Sequence, residues 1–274
     1  MRPALSQVCS LNSPFEKDIE DYAAGKCREV EIWLTKLEQF LESHSTDDVT
    51  RLLEKTAVKT SVASYQGGLL TSQAEARRES WELFERRLNL CRDLNIGILI
   101  VACDIGTPLL QQDVERAQVS LIDAARRAEK VGVRLAMEFQ GRSAFGNNLQ
   151  TAAALVNEVG NSHLGICLDA FHYFVGPSKS EDLAYLTIDN LFHVQLCDIA
   201  DVPREFATDS DRILPGEGDI PLEPIIDRLR EIQYDGCVSI EIMNPQIWRV
   251  PAIQFGEIGI TSLRKFLRIS EPET

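Results

Sequence analysis

The chain is expected to fold as a single (β/α)8 barrel domain spanning residues 1–274, and three observations carry that expectation. Short apolar runs alternate with longer amphipathic segments through eight repeats of the unit. A length of 274 residues with 44% hydrophobic content suits one large domain, near the ~250 residues of such barrels. Four of the runs end, at one shared phase of strand alternation, in an acidic or amide side chain: Glu138, Asp169, Gln195 and Glu241.

In chain order, strands are expected at residues 5–11, 28–34, 57–63, 96–102, 133–138, 164–169, 191–198 and 237–242. Amphipathic segments lie between them at 16–25, 35–44 with 47–55, 71–94, 113–131, 149–159, 180–187 and 222–232, and a last one at 256–269 closes the ring. Strict alternation favours a parallel sheet, and eight units favour closure over an open doubly wound sheet. No glycine-rich phosphate turn follows Leu11 or Leu34, which argues against a nucleotide-binding fold. No Pro/Gly/Ser-rich linker or low-complexity tract divides the chain.

The phase of the later runs assigns their faces. In 133–138, Val133, Leu135 and Met137 take one face, and Ala136 and Glu138 the other. In 164–169, Gly165 and Cys167 share a face with Asp169, opposite Leu164, Ile166 and Leu168. Val194 and Leu196 oppose His193, Gln195 and Cys197, while Val238 and Ile240 oppose Cys237, Ser239 and Glu241. Large aliphatics then pack on the helix layer, and small residues line the barrel with the polar group at its carboxyl-end mouth. An acid after a single strand is ordinarily a helix cap or a solvated group. Four inward polar groups at one mouth repel and desolvate one another unless a cation sits among them, so the pattern points to a bound metal ion.

A net charge of −14 opposes nucleic-acid binding, which relies on clustered Lys and Arg. The longest apolar stretch, residues 96–103, is too short to span a bilayer. The first residues lack the apolar core of a signal peptide, and the seven cysteines are odd in number and embedded in apolar runs, so reduced thiols and a cytoplasmic location are expected. Trp33 and Trp248 near the mouth are expected to wall a pocket or mediate contacts in a homo-oligomer, and Phe139, Phe171 and Tyr173 to pack. Residues 200–211 read as a flexible lid, with Arg142 and Arg204 placed to meet an anionic group.

The motifs Val30-Glu31-Ile32-Trp33, Met137-Glu138-Phe139, Leu168-Asp169-Ala170-Phe171-His172, His193-Val194-Gln195-Leu196-Cys197-Asp198, Arg212-Ile213-Leu214-Pro215-Gly216-Glu217-Gly218-Asp219-Ile220 and 236–241 followed by Asn244-Pro245 stand in this order. With them the chain resembles the xylose-isomerase-like TIM barrels, a family of sugar-phosphate isomerases, ketose epimerases and related dehydratases. The resemblance implies metal ligands at Glu138, Asp169, Gln195 and Glu241, acid/base roles for Glu138 and Glu241, and His172 and Arg212 facing the substrate. Many isomerases and epimerases of the family place His where this chain has Gln195. Gln there resembles the branch with 3-dehydroshikimate dehydratase-like proteins.

Three carboxylates and an amide oxygen form an all-oxygen set suited to Mn²⁺ or Mg²⁺. The family's His-rich multi-zinc endonuclease site is not expected, since the only histidines are His44, His163, His172 and His193. The expected activity is a divalent-metal-dependent sugar (phosphate) isomerase or epimerase, removing a proton next to a carbonyl of a small polyhydroxy substrate. The alternative is a dehydratase of the 3-dehydroshikimate or inosose type. A non-catalytic carbohydrate-binding barrel ranks last, because Glu138 and Glu241 are both present.

Overall fold

A computed structural model describes residues 1–270, and within them the strands close into a barrel of eight in chain order. The strands are β1 (Arg2–Ser6), β2 (Glu29–Trp33), β3 (Lys59–Gln66), β4 (Ile98–Cys103), β5 (Arg134–Phe139), β6 (Leu164–Asp169), β7 (Leu191–Leu196) and β8 (Cys237–Ile240). All pair in parallel, and β1 joins β8 from Arg2 opposite Cys237 to Leu5 opposite Ile240. Closure satisfies the backbone groups that an open edge would expose.

The helices are α1 (Phe15–Ala24), α2 (Leu34–Leu41), α3 (Thr46–Thr56), α4 (Ala74–Asp93), α5 (Gln111–Val131), α6 (Leu149–Val159), α7 (Ala170–Val175), α8 (Glu223–Glu231) and α9 (Ala252–Leu267). Their ends follow local chemistry. Ser45 and Asp48 form a reciprocal cap for α3, Asn148 accepts from the Thr151 amide at 2.9 Å to start α6, and α5 stops at Gly132 with φ +73°.

The expected faces hold for most positions. Leu135, Met137, Ile166, Leu168, Val194, Leu196, Val238 and Ile240 belong to the large core between sheet and helices. Ala4, Val62, Ile98, Ile100, Ala136, Cys167, Phe192 and Cys237 form a separate cluster inside the barrel. Phe192 departs from simple alternation, because the pairing of β6 with β7 slips between Ile166 and Cys167 and turns the ring inward. Cys197, expected inward, lies just past β7 and joins the outer core.

Several boundaries differ from expectation. The first strand ends at Ser6, whose hydroxyl caps a short 3-10 turn over Gln7–Ser10, so the apolar run continuing to Leu11 is a buried turn. The third strand extends to Gln66, and residues 180–185 form a 3-10 turn. The segment after Asp169, read as a loop, is α7. The region 200–211 is docked: Arg142 donates to the Ala207 and Glu205 carbonyls, and Arg204 to the Gly176 carbonyl at 2.8 Å. These arginines hold loop backbone, each through Nη2. Trp248, expected as a subunit contact, is half-buried and donates its indole N–H to the Val8 carbonyl at 2.9 Å. All seven cysteines are buried and free, and among the described residues no helix is long and apolar enough to cross a membrane.

Gly165 makes room for the inward Phe192 ring. A Cβ there would meet Phe192 Cγ at 2.6 Å and the Asn190 carbonyl oxygen at 2.7 Å. That carbonyl accepts from the Ile166 amide at 2.7 Å, so it cannot retreat without breaking the β6–β7 pairing. Gly165→Ala is expected to lower unfolding free energy by about 1–3 kcal/mol in urea titrations, while Cys167→Ala, lacking the clash, should not reproduce a backbone shift by amide NMR.

Candidate metal centre and active site

Glu138 closes β5, Asp169 closes β6, Gln195 lies near the end of β7, and Glu241 follows β8 with its N–H still bonded to the Leu196 carbonyl at 3.1 Å. Parallel pairing carries all four to the carboxyl-end mouth, as the alternation anticipated, with Asp169 level with Gln195. Asp169 also caps α7, accepting from the Phe171 amide at 2.6 Å, so its ordinary role and its place in the site coexist.

A fifth polar group, Glu31 on β2, lies at the floor and is fully buried. It accepts from Ser6 Oγ at 3.0 Å, Ser239 Oγ at 2.5 Å and Gln195 Nε2 at 3.1 Å, with His193 Nε2 2.8 Å away. Sequence reading gave Glu31 no role in the site. The same alternation marks it, since Val30 and Ile32 pack outward on either side.

Arg212 is the guanidinium at the centre. Its Nη1 donates to Asp169 Oδ2 at 2.8 Å and Glu241 Oε2 at 2.9 Å, its Nε to Asp209 Oδ1 at 3.0 Å, and its plane lies 4.4 Å over the Phe171 ring. It is 0% exposed. Expected to face substrate, it is fully buried here, with its donors on Asp169, Glu241 and Asp209. Gln195 turns its N–H groups to Glu31 and to Glu241 Oε1 at 2.8 Å, while its oxygen accepts from the Cys167 thiol at 3.3 Å. In this orientation the amide offers donors to the carboxylates, not the expected oxygen to a metal.

The electrostatics show a deficit of positive charge. Burial, joined by the charge of Asp169, pushes Glu138 well above the ordinary carboxyl range, and burial does the same to Glu241 despite Arg212. Burial also opposes ionisation of Asp169 and Glu31, yet both are held low, Asp169 by Arg212 and His172 and Glu31 by His193 and Ser239. His172, on α7, is lowered by burial and by Arg212 against the pull of Asp169. Its Nδ1 is buried without a hydrogen-bond partner, and its Nε2 is 4.0 Å from Asp169 Oδ2.

Glu138, Asp169 and His172 each bring a ligand atom to within 4.8 Å of the others. The donor set, the raised carboxyls and the orphaned imidazole nitrogen fit a divalent cation. Above lies a cavity of about 340 Å³, with Glu138, Gln195 and Glu241 low in its lining and Trp33, Tyr65, Asp104, His172 and Asp209 among the others.

Fold and site together define a (β/α)8 barrel with an acidic, cation-fitting centre at its mouth. The family model for xylose isomerase-like TIM barrels matches residues 23–265, and the chain belongs to that family. Inosose isomerase of Halalkalibacterium halodurans is 28% identical over 258 residues, 92% of this chain and 91% of that protein. A 3-dehydroshikimate dehydratase of Pseudomonas aeruginosa is 24% identical over 261 residues, 93% of this chain and 40% of that protein. Among solved structures, IOLI protein with a binding zinc atom superposes with a TM-score of 0.91 at 24% identity, covering 97% of this chain and 98% of that one, a likeness of fold.

Glu138 and Glu241 must lose protons before they can hold a cation. A carboxyl raised on folding stabilises the protein below its ordinary value of 4.5, and that contribution is lost as pH climbs through the raised value. Divalent-ion affinity is therefore expected to rise with pH above about 4.5, with net proton release. Calorimetry in two buffers of different ionisation enthalpy checks this, and identical heats would contradict it. Asp169→Asn should weaken binding by more than about tenfold.

Proposed function

We propose that the chain is a divalent-metal-dependent isomerase or epimerase of a small polyhydroxy ketone, working as one domain over residues 1–274, with Glu138 and Glu241 as its acid/base pair. One observation carries the reading: two buried carboxyls, both held above the ordinary range, border one cavity from β5 and from the end of β8. Carboxyls so raised hold a proton more readily than free ones, as proton exchange with a substrate carbon requires. The relationship to inosose isomerase over 92% of the chain favours an inosose-like substrate.

Each group has a defined support. Arg212 fixes Glu241 Oε2 and Gln195 fixes Oε1, which leaves the carboxyl oriented toward the cavity, and Gln140 donates to Glu138 Oε2. One carboxylate removes the proton from the carbon beside the carbonyl. The other, protonated beforehand, gives its proton to the same carbon from the opposite side, or to its neighbour, and is left as the carboxylate. His172, neutral and bordering the cavity, is placed to exchange hydrogen bonds with a substrate hydroxyl. Arg212 acts through the carboxylates it holds. A bound Mn²⁺ or Mg²⁺, held by Glu138, Asp169, Glu241 and His172 or a rotated Gln195, would supply polarisation of the substrate carbonyl.

The second reading, a dehydratase, begins with the same proton removal and then expels a β-hydroxyl. It is favoured by Gln195, which resembles the dehydratase branch, and by the P. aeruginosa relative. Incubating Mn²⁺-loaded protein in D₂O with inososes, ketoses and 3-dehydroshikimate separates the two by NMR. Deuterium in an isomeric product supports isomerisation, and loss of water from 3-dehydroshikimate supports dehydration. Glu138→Gln and Glu241→Gln are each expected to lower kcat about 10²–10⁴-fold, and exchange that survives either change would remove that residue from the acid/base role.

A further inference from the structure

No Lys or Arg lines the cavity among the described residues, whereas Asp104, Asp209, Glu138 and Glu241 do. The nearby guanidiniums sit outside that lining. Arg212 is fully buried among Asp169, Glu241 and Asp209, and Arg142 and Arg204 hold the backbone of residues 200–211 and Gly176. The floor holds four buried carboxylates, Glu31, Glu138, Asp169 and Glu241, against one guanidinium, so a divalent cation still leaves it negative. An anionic group entering above would meet the Asp104 carboxylate and no Lys or Arg in the wall, Asp209 being paired with Arg212.

The upper wall suits a different ligand. Trp33 and Tyr65 pair with ring centroids 5.5 Å apart and planes tilted 43°, and both border the cavity. Aromatic faces carry negative quadrupole potential and attract the polarised C–H face of a polyol ring. Asp104 accepts the Gly68 amide on Oδ2 at 2.7 Å, which fixes the carboxylate at the rim and ties the loops after β3 and β4 together. Its other oxygen is available to accept ligand hydroxyls in charge-assisted hydrogen bonds.

We propose that Asp104, with the Trp33–Tyr65 pair, is the specificity-determining subsite that makes this cavity select an uncharged, ring-shaped polyol and refuse carboxylate- or phosphate-bearing counterparts. The inference deepens the polyhydroxy-ketone reading and rests on it. Asp104 recognises hydroxyls by accepting from them and repels anions, and the aromatic pair reads the ring irrespective of charge.

Equilibrium binding to the divalent-ion-loaded protein, by calorimetry at low salt, tests this with myo-inositol, quinate and quinate methyl ester. The ester and the acid share a ring and differ in charge. Inositol and the ester are expected to bind at least about tenfold more tightly than quinate, with the gap narrowing as salt rises. Asp104→Asn, which keeps an acceptor for Gly68, should weaken inositol about five- to tenfold and shrink the ester-to-acid ratio toward one. Trp33→Leu should weaken all three alike. Quinate binding as tightly as its ester, no binding of any probe, or an unchanged ratio in Asp104→Asn would overturn the proposal. Turnover is not read, so selective binding without any isomerisation would leave the subsite standing and remove the reaction.

Discussion

Four carboxylates buried at one end of a barrel around a single guanidinium set the terms for the rest of this structure. A buried carboxylate without a partner costs several kcal/mol, and four in one place multiply that by mutual repulsion. The protein answers with donors from distant parts of the chain. Arg212 spans Asp169 and Glu241, and Gln195 spans Glu31 and Glu241. Glu31 also gathers Ser6, His193 and Ser239. The donors come from β1, β7, β8 and the segment after β7, so the charge network and barrel closure support one another.

Arg212 reaches this position because the chain after β7 is tied down around Asp198. That carboxylate accepts from the amides of Ile199, Gly216 and Ile220, all close to 2.9–3.0 Å, and its backbone pairs with Ile213. Arg212, next to Ile213, is thereby delivered to the barrel axis. Arg142 and Arg204 fasten the intervening residues from outside. A segment that reads as a mobile lid from its composition is thus a bracket for the central cation.

The fold was legible because alternation is local: each inward or outward assignment needs only neighbouring residues, and β5, β6 and β8 obeyed it through Glu138, Asp169 and Glu241. Phe192 escaped because a register slip between two strands leaves no mark in either one. Val8 and Cys9 misled because a buried 3-10 turn is as apolar as a strand. At the site, the positions of the carboxylates were legible and their partners were not. Glu31 meets His193 and Ser239 across 162 and 208 residues of sequence, and no local pattern encodes such a meeting. Arg212 carries no sign in its own segment that its charge is spent on acids beneath the cavity.

The chemistry of the cavity wall bears on the two reactions in a way the acid/base pair does not. Isomerisation and dehydration share their first step, so Glu138 and Glu241 serve either one. What separates the candidate substrates is charge, since 3-dehydroshikimate carries a carboxylate and an inosose does not. A site evolved for the former needs a cation in its wall, because a hydrogen-bonding site rejects a ligand most strongly when its own charged groups are left opposed or unpaired. Here no Lys or Arg borders the cavity among the described residues, and Asp104 stands in the wall. Gln195 sits at the floor, where it serves either reaction; the wall, without Lys or Arg among the described residues, weighs toward an uncharged substrate and, with it, toward isomerisation or epimerisation.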